Sequence, residues 1–138
     1  MSLTQQTVAV RKTLLSNFVK SEFGLEHFYE RAVRSLTVTG DEEIGAVFAS
    51  DGTILLAADV AGLTGSDDLS MLVDDCIYTD GAGAGTRDFA VLTGGVGASG
   101  SAIVVREQLK FGDALSAGQI DTVVASIEAQ GIKVATQV

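Results

Sequence analysis

Apolar and polar positions change their spacing along the chain. Between residues 12 and 34, apolar residues recur at spacings of one, three and four, which is typical of helices. Gly24 separates two such groups and is expected to end the first helix. The groups are Leu14, Leu15, Phe18 and Val19, followed by Leu25, Phe28, Tyr29, Ala32 and Val33.

From residue 35 the pattern favours strands. Residues 36–39 alternate between apolar and polar side chains, and Asp51-Gly52 is a turn dipeptide between two apolar runs. That arrangement predicts a β-hairpin over residues 44–58. Further short strands are predicted at Leu69–Val73, Cys76–Thr79, Phe89–Thr93 and Ala102–Val105. Glycine-rich loops are predicted at Gly81–Gly85 and Gly94–Gly100.

The last third of the chain predicts one well-bounded helix. Ser116 with Gln119 three residues later fits a capping box, and Gly131 stands where a glycine commonly follows a helix. Ile132–Val134 alternates and predicts a final strand. Four apolar residues at helical spacing form a stripe that is predicted to be core, with an oligomer interface as the alternative: Ile120, Val123, Val124 and Ile127.

The order of these elements predicts an α+β fold. We expect a small β-rich domain, built on a mixed sheet or a partial barrel, with one C-terminal helix packed on it. An extended and helical N-terminal arm precedes that domain. The 138 residues suffice for one domain of ordinary size. We divide the chain into residues 1–34, the arm and helical segment, and residues 35–138, the β-rich domain.

Charge is distributed unevenly over these two parts. The net charge is −9, yet residues 1–34 contain five basic and three acidic residues. The remainder is strongly acidic and would repel a phosphate backbone, so no nucleic-acid partner is expected. No apolar run approaches the ~18 residues of a membrane span, so no membrane association is expected. The start of the chain lacks the continuous apolar region of a signal peptide.

Candidate chemical motifs lack the surroundings that their chemistry needs. Gly95–Gly100 has the spacing G-x-G-x-x-G, but a strand pattern follows instead of the helix that would meet a pyrophosphate. The sole His27 and the sole Cys76 have no catalytic partner nearby in sequence. The aspartates do not have the spacing of a calcium loop, which favours a solvated acidic face; they are Asp67, Asp68, Asp74, Asp75 and Asp80. We therefore predict no catalytic residue, no cofactor and no metal, and a protein that is not an enzyme.

The chain from about Leu69 to Val134 resembles the head decoration, or cement, proteins of tailed double-stranded-DNA bacteriophages. The resemblance begins with Phe89-Ala90-Val91-Leu92-Thr93-Gly94 and continues with Ala102-Ile103-Val104-Val105 leading to Leu109. It then includes the capped helix from Ser116 to Ala129 and ends with Gly131-Ile132-Lys133-Val134.

This resemblance implies a structural role on the outer surface of the mature phage head, in a protein made in the host cytoplasm. It implies that the major capsid protein is the partner and that the chain is a homo-oligomer, a trimer with a dimer as the alternative. It also implies that an N-terminal arm contacts the capsid. Since residues 5–10 alternate loosely, we expect that arm to pair with an exposed edge strand; its residues are Gln5, Gln6, Thr7, Val8, Ala9, Val10 and Arg11.

Two other classes of function remain open. One is a different component of the virion, such as a head–tail connector or a tail subunit, which would form rings. The other is a small nucleotide-binding enzyme or hydrolase with a pocket around Gly95–Gly100. Oligomer stoichiometry distinguishes the first class from a decoration protein. A rise in melting temperature on addition of nucleotide would support the second class.

Overall fold

The computed structural model describes residues 15–21, 31–63, 69–93 and 102–136. Short helices and strands precede one long C-terminal helix. In chain order the elements are α1 (Leu15–Phe18), β1 (Val19–Ser21), β2 (Arg31–Val38), β3 (Val47–Phe48), α2 (Ala57–Val60), β4 (Ser70–Leu72), α3 (Cys76–Thr79), β5 (Gly85–Leu92), β6 (Ile103–Val105), a 3-10 turn (Arg106–Gln108), α4 (Ala117–Ala129) and β7 (Lys133–Ala135).

The strands form two sheets. The larger sheet is antiparallel with the order β2-β5-β4-β3, and the smaller has the order β1-β6-β7. Within the smaller sheet, β1 pairs antiparallel with β6 and β6 pairs parallel with β7. The predicted α+β class with a C-terminal helix is confirmed. Among the described residues neither sheet closes into a barrel, so the larger sheet remains open at β2.

The longest pairing in the fold joins β2 to β5. Its register runs from Arg31 opposite Leu92 to Val38 opposite Gly85. The prediction of a helix that includes Ala32 and Val33 is therefore wrong. Eight residues paired with a distant strand outweigh a helical spacing of apolar residues, because such spacing is only a local signal. The division of the chain between residues 34 and 35 lies within this strand.

Two hydrophobic clusters lie on the two faces of the larger sheet. Adjacent residues of one strand face opposite sides, so Met71 of β4 belongs to one cluster and Leu72 to the other. The first cluster joins the sheet to α4 and the smaller sheet. The second is covered by Ile77 of α3. The sheet is thus buried on both sides near β4, the strand beside β3.

Helix α4 has the predicted boundaries, and two of the four residues predicted to lie in the core are fully buried. The Ser116 Oγ accepts from the Gln119 N–H at 3.2 Å, and the Gln119 Oε1 accepts from the Ser116 N–H at 2.9 Å. Gly131, with φ +92°, follows its C-terminus. The core prediction is confirmed for Val123 and Ile127, which are fully buried. The other two stripe residues, Ile120 and Val124, are half-buried.

Two strand predictions in the middle of the chain need correction. Residues 76–79 form the single helical turn α3, because an Asp74 carboxylate oxygen accepts from the Cys76 N–H at 3.0 Å and favours a turn. The turn at Asp51-Gly52 is confirmed, with the Ala49 N–H donating to the Thr53 carbonyl oxygen. The predicted hairpin ends before residue 58, because α2 begins at Ala57.

The segment from Leu15 to Ser21 folds on the β-rich domain. Phe18 is fully buried in the first cluster, and β1 pairs with β6. The helical prediction is confirmed from Leu15 to Phe18 and is wrong at Val19, where β1 begins. The predicted arm, His27 and the Gly94–Gly100 loop lie outside the described residues. Within the part of the chain that the structure describes, no helix has the length and hydropathy needed to cross a membrane.

Candidate interaction surface

The most distinctive surface of the described protein is the outer edge of β2. Among the described residues, β2 is the terminal strand of the larger sheet, where it pairs on one side with β5. In an antiparallel pair, successive residues direct their backbone N–H and C=O groups alternately toward the neighbouring strand and away from it. The Thr37 N–H donates to the Gly52 carbonyl oxygen at 2.9 Å, not to β5. Odd-numbered residues of β2 therefore direct these groups to the outer edge.

The turn around Gly52 closes one end of this edge. Gly52 has φ +85°, and a Cβ atom at that position would lie 2.5 Å from the Ser35 carbonyl oxygen. The close approach and the positive φ both require glycine. Beyond Ser35 toward the start of β2, among the described residues, no backbone hydrogen bond is made to the outward groups of Val33. We call residues 31–35 of β2 the open edge.

The open edge also presents an exposed apolar side chain. Val33 is 71% exposed, the largest value among the large apolar side chains of the described residues. Its cross-strand neighbour on the same face is Ala90. Long, unprotected edge strands with apolar side chains are templates for pairing with another chain. The open edge therefore combines backbone groups and apolar surface in one place.

Two arginines flank Val33 in the strand. The Arg34 Nη1 donates to the Ser70 Oγ at 3.3 Å, across the face that carries the second cluster. Arg31 lies on the opposite face, in a cavity of about 370 Å³. The cavity is lined by Leu15, Arg31, Ile44, Val73, Asp74, Asp75, Tyr78, Thr79 and Ala90. Arg31 therefore shares this cavity with the carboxylates of Asp74 and Asp75, and its charge acts on Asp74.

Asp74 and Tyr78 form hydrogen bonds between the segments that line this cavity. Both Asp74 carboxylate oxygens accept backbone hydrogen bonds, from the Cys76 N–H and the Ala90 N–H, each at 3.0 Å. Partial burial of Asp74 opposes its ionisation, but these hydrogen bonds and the charge of Arg31 lower its pKa overall. The Tyr78 hydroxyl accepts from the Ile44 N–H at 2.8 Å. The contacts of Asp74 with Ala90 and of Tyr78 with Ile44 are structural, since each provides a hydrogen-bond acceptor for a backbone N–H group of another segment.

Asp74, Asp75 and Cys76 bring three potential metal-ligand atoms within 4.8 Å of one another. Both oxygens of Asp74 are already engaged with the main chain, as described above. The hydrogen bond to Asp74 is the main cause that raises the pKa of the exposed Cys76 thiol. Because the thiolate is the reactive form of cysteine, this surrounding disfavours nucleophilic chemistry at Cys76. The hydrogen bond from the Cys76 N–H to the Asp74 carboxylate stabilises the first turn of α3.

The structure brings together only part of the set of residues singled out from the sequence. Val123 and Ile127 lie in one cluster, whereas the predicted arm from Gln5 to Arg11 is outside the described residues. The open edge was missed because the helical spacing before residue 35 concealed it. The alternation seen at residues 36–39 does not continue backward, because Ala32 and Val33 are both apolar and Arg34 and Ser35 are both polar, so the first half of β2 carries no local strand signal. Comparisons with family models, with curated proteins and with solved structures find no match to this chain.

Proposed function

We propose that this chain is a structural protein of a phage virion. It decorates the outside of the mature head and stabilises the head by bridging neighbouring copies of the major capsid protein. The proposal comes from the resemblance in the second half of the chain. Of the residues that carry that resemblance, those that the structure describes lie mainly in β5, β6, α4 and β7.

The observation that carries the proposal is the packing of this C-terminal unit. Gly131 adopts φ +92° after α4, Ile132 is buried in the first cluster, and β7 then pairs parallel with β6. The Gly131-Ile132-Lys133-Val134 segment therefore forms the turn through which the chain passes from α4 to β7. It supports the proposal because the quoted family residues perform a structural task together.

The N-terminal segment supplies the proposed contact with the capsid. Phe18 and β1 anchor residues 15–21 on the domain, and the predicted arm precedes this anchored segment in the sequence. In the proposal, residues 5–11 pair with an edge strand of the major capsid protein through main-chain hydrogen bonds. If three copies assemble, their linked arms bind together, and modest single contacts combine into high avidity.

Co-sedimentation tests the proposal. The purified chain is mixed with mature phage heads stripped of their decoration protein and, separately, with unexpanded proheads. We expect saturable binding to mature heads alone, with a copy number that gives the stoichiometry. Binding to neither particle, or equal binding to both, contradicts the proposal.

A deletion variant separates the role of the arm from that of the domain. Removal of residues 1–11 leaves α1, β1 and the buried Phe18 in place, so the domain should keep its thermal stability. We expect this variant to lose most of its binding to mature heads. A matched variant in which Val8 and Val10 become Thr keeps the length and the β-branched character of the arm and should retain binding. Unchanged binding after the deletion shows that the arm has no part in capsid recognition.

A further inference from the structure

We infer that the N-terminal arm of this chain covers the open edge of its own domain. Residues 6–10 add a short strand to the larger sheet, antiparallel to β2, in the isolated protein. The inference does not rest on the proposed function, because it concerns the arm in the absence of any other molecule. An arm paired in this way has to leave β2 before it can pair with a strand of another protein.

The open edge has backbone groups to pair and an apolar side chain to cover. Among the described residues, no backbone hydrogen bond reaches the outward N–H and C=O of Val33 or the outward N–H of Ser35. Val33 is also 71% exposed. An extended segment that supplies main-chain partners and an apolar side chain opposite Val33 protects such an edge. The turn at Gly52 blocks pairing beyond Ser35, so the added strand is short.

The described chain begins beside this edge. Leu15, its first residue, and Arg31, the first residue of β2, line the same cavity of about 370 Å³. Fourteen residues precede Leu15, and the four residues after Val10 connect the proposed strand to Leu15. That connection reaches about 16 Å when it is extended. The arm therefore has the starting point and the length needed to return along β2.

The position of Leu15 fixes the direction of the added strand. In an antiparallel pair the last residue of the strand lies at the start of β2, which is where Leu15 lies. In a parallel pair that residue would lie at Ser35, and the connection would first have to travel back along the edge, a distance of about 13 Å. Antiparallel pairing needs no such return and continues the antiparallel order of the larger sheet.

The charges of the arm select the register. If Val10 lay opposite Val33, Lys12 would lie opposite Arg31, and like charges directly opposite each other destabilise a strand pair. If Val8 lies opposite Val33, Val10 pairs with Arg31 and Lys12 lies beyond the paired residues. The second register also places one β-branched side chain directly against the exposed Val33. We therefore assign Val8 as the partner of Val33.

Carboxylates near the edge favour an occupant without negative charge. Asp88 of β5 is exposed beside the edge, and Asp74 and Asp75 line the cavity at the start of β2. Residues 1–14 contain two basic residues and no acidic one, in a chain whose net charge is −9. The arm therefore avoids the repulsion that an acidic segment would meet at this edge.

Amide hydrogen exchange measured by NMR on the full-length, isolated chain tests the inference. We expect the amides of Val33 and Ser35 to be protected. Val8→Pro removes the N–H group that would pair with β2, and should speed the exchange of both amides at least tenfold. Val8→Thr keeps the N–H and the β-branched shape and should change the exchange less than threefold. The Leu36 amide faces β5 and is the internal reference, with the same slow exchange in all three proteins.

Two results of this experiment overturn the inference. One is rapid exchange of the Val33 and Ser35 amides in the unmodified chain, which would show that the edge is uncovered. The other is equal protection of these amides in the unmodified chain and in Val8→Pro, which would show that the arm is not the segment that covers them.

A disulfide between the arm and β2 tests the register and identifies the chain that supplies the arm. The exposed Cys76 is first removed by Cys76→Ser. Val8→Cys with Val33→Cys then places two thiols on directly opposed residues, whose Cα atoms lie about 5.5 Å apart, a separation that a disulfide spans. We expect this pair to form an intramolecular disulfide at low chain concentration, at least tenfold faster than Val10→Cys with Val33→Cys. Equal rates overturn the inference, and so do products that are mainly disulfide-linked dimers, which would assign the arm to a second copy.

Discussion

The side-chain amide of Gln130 pairs with the backbone of Leu69 in both directions. The Leu69 N–H donates to the Gln130 Oε1 at 2.7 Å, and the Gln130 Nε2 donates to the Leu69 carbonyl oxygen at 2.9 Å. The same Nε2 donates to the Thr93 carbonyl oxygen. Gln130 is buried at the end of α4, while Leu69 precedes β4 and Thr93 follows β5. One side chain therefore joins the helix to two strands in the way a peptide group joins neighbours in a sheet.

Replacement of Gln130 by leucine should lower the free energy of unfolding by about 2–4 kcal/mol. The substitution removes the side-chain partners of the Leu69 N–H and C=O groups, and each buried group that is left unsatisfied costs roughly 1–3 kcal/mol. Urea unfolding followed by circular dichroism measures the loss. Glu128→Ala, at an exposed position of the same helix, is the matched control and should change stability by less than ~0.5 kcal/mol. Equal effects of the two variants would show that the buried amide is not a structural link.

Two glycine substitutions should have opposite effects on stability. Gly45 has φ +99°, and a Cβ atom there would collide with the Gln108 carbonyl oxygen, so Gly45→Ala should cost more than ~2 kcal/mol. Gly118 lies in the first turn of α4, and a Cβ atom there meets nothing within 4 Å. Gly118→Ala should therefore stabilise the chain by about 0.4–1 kcal/mol. Thermal unfolding of both variants measures the two effects, and a Gly118→Ala variant less stable than the wild type would contradict the prediction.

The capping box of α4 predicts the effect of changes at Ser116. Ser116→Ala removes the side-chain oxygen that accepts from the Gln119 N–H, and should cost about 1 kcal/mol. Ser116→Asp retains an acceptor and adds a negative charge at the helix N-terminus, so it should restore or exceed wild-type stability. Chemical denaturation of both variants measures the difference. The prediction fails if alanine and aspartate are equally destabilising.

Asp74 should make stability depend on pH in the acid range. Its pKa is lowered in the folded chain from the model-compound value of 3.8, so its stabilising contribution is present above about pH 4. That contribution is lost as the pH falls through the folded pKa. Asp74→Asn can accept one of the two backbone hydrogen bonds with its carbonyl oxygen, and should be less stable than the wild type by about 1 kcal/mol at pH 7.

The comparison between pH 7 and pH 3 isolates this carboxylate. The stability gap between the wild type and Asp74→Asn should narrow at pH 3, below the ordinary carboxyl pKa value of 3.8, because protons there bind Asp74 more readily in the unfolded chain than in the folded chain. Asp88→Asn, at an exposed position on β5 outside the cavity, is the control for loss of a surface carboxylate and should change stability at pH 7 by less than ~0.5 kcal/mol. A gap that is constant over this range would mean that the charge of Asp74 contributes nothing to folding.

Lys110 forms hydrogen bonds to the backbones of two loops, and its replacement should lower the free energy of unfolding. Its ammonium group donates to the Ile44 and Gln108 carbonyl oxygens at 3.0 and 2.8 Å, while burial lowers its pKa. Lys110→Met keeps the apolar stem and removes the donors, so it should cost about 1–3 kcal/mol. Lys133→Met, on the exposed side of β7, is the matched control and should be nearly neutral.

Elements whose signals are local could be predicted from the sequence. Ser116, Gln119 and Gly131 bound α4 because a cap and a positive-φ glycine act on the adjacent backbone alone. The turn at Asp51-Gly52 was predictable for the same reason. The α+β class also followed from the order of the patterns, since periodicity distinguishes a helix from a strand within one segment.

Elements whose partners are distant in sequence depend on how the chain packs. Val33 has helical spacing with its neighbours, yet it lies in β2 because β5, more than fifty residues away, pairs with the whole strand. Residues 76–79 carry apolar and β-branched side chains, yet Asp74 bonds to Cys76 and Ala90 and begins a helical turn there. The same pairing left the outer side of β2 as the edge of its sheet. A strand edge depends on which strands assemble, and that is a property of the packed fold rather than of any local pattern.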